Sequence, residues 1–145
     1  MSTAHPSLQD LARRLLAIEA ARAQSSDAHV DEAVRVCEKL RVPLVKFAGR
    51  AGFASLLSRA LALAKAEVPA LAAVHVRADG ALEGFDEVER TQSAEARGRD
   101  AVVLVAQLLG LLVTFIGELL TLRLVRDAWP DVSMNGSNGR SEAKA

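Results

Sequence analysis

The chain is poor in the residues that mark specialised chemistry. Its 145 residues include one cysteine, no tyrosine, one tryptophan and four phenylalanines. A single cysteine, Cys37, excludes an internal disulfide and suits a reducing compartment. With aromatics at 3% but hydrophobic residues at 50%, any core must be built from Leu, Val and Ala, which favours helix packing over a β-sandwich. There is no charge of one sign to spare, because eighteen basic and eighteen acidic residues cancel. A nucleic-acid binder normally carries a basic excess to neutralise phosphates, so no nucleic-acid partner is expected. The N-terminal MSTAHPSLQD has no basic region followed by an apolar stretch, and a cytoplasmic location is the expectation, with inner-membrane association as the alternative.

Site motifs are equally scarce. His5, His29 and His75 are far apart, and neither H-E-x-x-H nor C-x-x-C occurs, so no metal or cofactor is expected. Cys37 has only His29, two helical turns earlier, as a candidate base, and reads as a small buried apolar residue. The stretch Ala48-Gly49-Arg50-Ala51-Gly52-Phe53 could cradle a phosphate before a helix, but it lacks the Gly-Lys-Ser/Thr of a P-loop. Its glycines read as a turn or close packing, with Arg50 in solvent. Residues 31–64 admit a helix–turn–helix reading, with Arg50, Ser55, Ser58 and Arg59 on the second helix, weakened by the zero net charge. With no catalytic constellation, the chain is expected not to be an enzyme.

What is present is helical periodicity. Residues 1–6 read as a flexible lead, 7–130 as one helical domain, and 131–145 as a disordered polar tail. Leu8, Leu11, Leu15 and Ile18 recur at helical spacing, predicting a first amphipathic helix over 7–24 with Arg13, Arg14 and Glu19 off the stripe. Ser7 with Asp10 would cap it, and Ser25-Ser26-Asp27 would close it. Val30, Ala33, Val34, Cys37 and Leu40 predict a second helix over 28–41, broken by Pro43. Leu44–Ala48 reads as a helical turn or short helix. Phe53, Leu56, Leu57, Ala60, Leu61 and Ala64 predict a third helix to Glu67, ended by Pro69. Alternation at Val74–Arg77 and the Asp79-Gly80 turn signal predict a short β-hairpin over 73–85, against a competing irregular loop.

The most demanding feature follows. Ala101 to Gly117 is a seventeen-residue run interrupted only by Gln107 and Thr114. A long helix is predicted from between Glu87 and Ala94, capped by Asp86 and Glu89, through to Ala128; at 1.5 Å rise per residue it would extend on the order of 50 Å. On a helical wheel, Asp100, Gln107, Thr114, Glu118 and Thr121 form a polar line, flanked by small residues Ala106, Gly110 and Gly117. The rest is apolar over well more than the roughly 100° stripe of a surface helix. The polar line reads as solvent-facing, or as register-setting against a partner.

The expected architecture is therefore all-α: a small bundle of three shorter amphipathic helices around one long hydrophobic C-terminal helix, with the short hairpin before it. The expected role is interaction or regulation, with Val102, Val105, Leu109, Leu112, Ile116, Leu119 and Leu120 binding a second copy or a protein partner. Two membrane readings stand beside it. One is a transmembrane span over about 101–122, disfavoured by Glu118; the other is a helix kept inside the bundle until triggered to insert.

Overall fold

A computed structural model describes residues 6–23, 32–78, 80–85, 93–130 and 132. The architecture is all-α with one small hairpin. Its elements are α1 (Pro6–Ala23), α2 (Glu32–Glu67), a 3₁₀ segment (Pro69–Ala73), β1 (His75–Val76), β2 (Leu82–Glu83), α3 (Ala94–Ile116) and α4 (Glu118–Ala128). The expected caps at Ser25–Asp27 and at Asp86 with Glu89, and the expected tail over 131–145 apart from the buried Val132, lie outside the described residues.

α3 is the axis of the bundle, in contact with α1, α2 and α4. Leu104 through Leu109 are all buried, so this helix is enclosed on every side at its middle. An all-round apolar sequence is satisfied by that position. Ser93 starts the helix by accepting a hydrogen bond from the Ala96 amide, 3.1 Å.

Two glycines correct the expected helix boundaries. α2 runs straight through Pro43, where a break was expected, and breaks instead at Gly49 (φ 80°, ψ 169°). Proline removes one hydrogen bond, to the Lys39 carbonyl, but Leu40 and Leu44 on either side are fully buried and hold the helix together. The break at Gly49 has a separate cause. The buried set before it (Ala33, Val36, Cys37, Leu40, Leu44) and the set after it (Phe53, Leu57, Ala60, Leu61, Ala64) would be roughly 130° out of phase on one unbroken helix at 100° per residue. A left-handed glycine re-phases them so that both face the core.

Gly117 does the same for the last helix. Its φ of 91° divides the expected single rod into α3 and α4. The Gly117 amide donates to the Val113 carbonyl at 2.9 Å, closing α3, while the Gly117 carbonyl accepts from both the amide and the hydroxyl of Thr121. In a straight helix Trp129 would stand about 18 Å beyond Gly117. The elbow instead packs α4 on α2 and α3 and brings Trp129 to α1.

The hairpin is antiparallel, with His75 opposite Glu83 and Val76 opposite Leu82. Two-residue strands are not stable alone. Here Leu71, Val74, Leu82 and Phe85 anchor the segment in the core, and the His75 ring lies 2.8 Å from the Glu83 carboxylate across the strands.

Candidate interaction surface

The structure divides the seven expected interface residues. Val105, Leu109 and Leu112 are fully buried within the chain itself. They are core, where α1 and α2 pack against α3. Val102, Ile116 and Leu120 are half-buried. Leu119 is 86% exposed, and Phe115, on the other side of the Gly117 elbow, is 59% exposed. The exposed apolar surface of α3 and α4 therefore gathers at the elbow, with Phe115, Ile116, Leu119 and Leu120 within six residues of chain.

The small residues also divide. Ala106 is buried and Gly110 half-buried, but Gly117 is exposed and a Cβ there would meet nothing within 4 Å. Its function is conformational, not close packing.

The polar line does not form a solvent stripe. Thr114 and Glu118 are exposed, whereas Asp100, Gln107 and Thr121 are buried. Gln107 donates to the Glu67 carboxylate at the end of α2, 2.6 Å, so its partner is within the chain. Thr121 is satisfied by the Gly117 carbonyl, 2.8 Å.

Asp100 is the strained member. Its Oδ2 is buried with no hydrogen-bond partner among the described residues. Burial pushes its pKa up, against the opposing charge of Arg99. A carboxyl with a raised folded pKa contributes stability that is present below its unfolded value and lost as pH rises through the folded value. Asp100→Asn is accordingly expected to raise the urea midpoint at neutral pH, with the gain disappearing in acid. A midpoint lowered at neutral pH would show that the carboxylate has a favourable partner.

The strongest electrostatic feature was missed at the sequence level. Glu19, expected in solvent, is fully buried. Its position continues the Ala12–Leu15–Leu16 face of α1 by one turn. Four donors converge on it: Lys39 Nζ at 2.8 Å, Trp129 Nε1 at 2.8 Å, Arg35 Nε at 3.1 Å and Arg22 Nη1 at 3.4 Å. Lys39 also lies 5.7 Å from the Trp129 ring centroid, within cation–π range. Burial by itself raises the Glu19 pKa, but hydrogen bonds from Lys39 and Trp129, the Lys39 charge and the Arg35 hydrogen bond outweigh it and hold the carboxyl below its ordinary value. The cluster ties α1, α2 and the end of α4 together. Its only hint in the sequence is the lone Trp, whose N–H needs an acceptor when buried.

Other sequence candidates are placed as follows. Cys37 is buried on α2, and His29 lies outside the described residues. Arg50 is exposed beside the Gly49 break. The turn that a helix–turn–helix requires at Pro43 is continuous helix. Among the described residues no group of three or more His, Cys, Asp and Glu could hold a metal ion. α3 is long and apolar enough to cross a membrane by length and composition, and half of that stretch is buried inside the protein.

No family model, curated protein or solved structure matches this chain.

Proposed function

We propose that this protein is a non-enzymatic helical interaction module that pairs with a second copy of itself through the α3–α4 elbow. The observation that carries the reading is the exposure of Leu119 and Phe115 on either side of Gly117, next to the half-buried Ile116 and Leu120. A self-complementary contact about a two-fold axis covers this patch on both copies at once.

Magnitudes set the strength. Burying a Leu or Phe side chain gains about 1.5–3 kcal/mol. Scaled by their exposure, Leu119 and Phe115 from two copies give a gross gain of about 4–9 kcal/mol, set against roughly 4–15 kcal/mol lost on association. The pairing is therefore weak and concentration-dependent. Light scattering behind size exclusion is expected to show a mass rising towards that of a dimer as concentration increases, and Leu119→Glu is expected to hold the protein as a folded monomer. A constant monomer mass for the unaltered chain would reject the reading.

A further inference from the structure

The zero net charge conceals a strong local asymmetry. Between Glu38 and Glu67 the chain carries Lys39, Arg41, Lys46, Arg50, Arg59 and Lys65 and not one carboxylate. Two of these cations have partners within the fold, Lys39 on Glu19 and Arg41 on Glu38 at 3.1 Å. Lys46 and Arg50 are exposed and make no ion pair among the described residues. Together with Arg41, Val42 and Val45 they line an open cleft of about 290 Å³ beside the Gly49 break. Val42, one of the lining residues, is 64% exposed.

Unpaired cations beside exposed apolar side chains are what an interfacial helix presents to a bilayer. The apolar groups enter the boundary between headgroups and acyl chains, and the cations meet lipid phosphates. Nucleic acid would engage the cations but leave the exposed valine unrewarded. An acidic protein would likewise leave the apolar groups in water unless it brought its own apolar face. We infer that the face of α2 lining this cleft docks on the surface of an anionic phospholipid bilayer, with Val42 as the apolar anchor beside the half-buried Val45, and Lys46 and Arg50 on the phosphates. This surface is separate from the elbow, and the inference does not rest on self-association.

Vesicle co-sedimentation of the full chain tests it. The protein is expected to pellet with phosphatidylcholine–phosphatidylglycerol vesicles and not with phosphatidylcholine alone, and to be released by high salt as the charges are screened. Each cation near such a surface is worth about fivefold in binding, so Lys46→Glu with Arg50→Glu is expected to weaken it at least about 25-fold. Val42→Ser is expected to weaken it about fivefold by loss of apolar burial. All three positions are exposed, and unchanged circular dichroism confirms that the variants fold. Arg123→Glu with Arg126→Glu, equal in charge change but on α4, is expected to bind as the unaltered chain does. Failure to bind the mixed vesicles, equal binding to phosphatidylcholine, or equal loss from the α4 variant overturns the inference. So does vesicle binding indifferent to Val42 in a protein that also retains a single-stranded oligonucleotide through Lys46 and Arg50, which would make nucleic acid the occupant.

Discussion

Trp129→Ala is expected to destabilise the fold by about 3–5 kcal/mol, the range for deleting a buried tryptophan, measured as a fall in the urea-unfolding free energy. The ring is fully buried at the end of α4 and is the largest side chain in the core. Its loss opens a cavity where α4 meets α1 and removes one of the four donors on Glu19. Trp129→Phe separates the two effects. It keeps most of the ring and removes the N–H, and is expected to cost about 1.5–3 kcal/mol, the worth of a hydrogen bond to a charged group. The pH dependence distinguishes this from a packing defect. Glu19 is held below its ordinary pKa of 4.5, so its contribution is complete above that value and is lost as pH falls through the folded pKa. The deficit of Trp129→Phe is therefore expected to narrow in acid. A deficit independent of pH would assign the whole effect to packing and remove Trp129 from the electrostatics of Glu19.

How much of this was legible follows from where each residue finds its partners. Helical class, the hairpin and the interior position of the apolar run rest on local periodicity, which is written in neighbouring residues. Glu19 rests on contacts 16 and 110 residues away, to Arg35 and Trp129, and such pairings leave no local trace. By spacing alone it looked like the charged back of α1. Pro43 is the stronger breaker by propensity, yet buried Leu40 and Leu44 carry the helix through it, while Gly49 breaks because two apolar faces must be re-phased. That mismatch was present in the sequence, as the offset between two stripes. The polar line failed for a related reason. A wheel assumes one continuous axis, and the elbow at Gly117 rotates Glu118 and Thr121 out of the frame that holds Asp100 and Gln107. Within the apolar remainder, Leu112 and Leu119 are the same residue type on the same predicted rod, so no pattern could assign one to the core and the other to the surface.

That distinction yields the largest expected effect. By sequence alone Leu112→Glu reads as an interface variant, but Leu112 is fully buried in the core. A carboxylate there is taken fully out of water, a change expected to cost more than about 4–5 kcal/mol. Domains of this kind have about 5–15 kcal/mol in total, so Leu112→Glu is expected to lose its cooperative unfolding transition and enter inclusion bodies. Leu119→Glu makes the same chemical change at a site 86% open to water and is expected to alter stability by less than about 0.5 kcal/mol. Thermal melts of the two variants measure burial directly, and their masses measure association. The combination that supports the elbow is a Leu119→Glu protein with an unshifted melt and a monomer mass beside an unfolded Leu112→Glu. If Leu112→Glu instead folds and is monomeric while Leu119→Glu still pairs, the contact lies along the middle of α3, and the bundle must open there to make it.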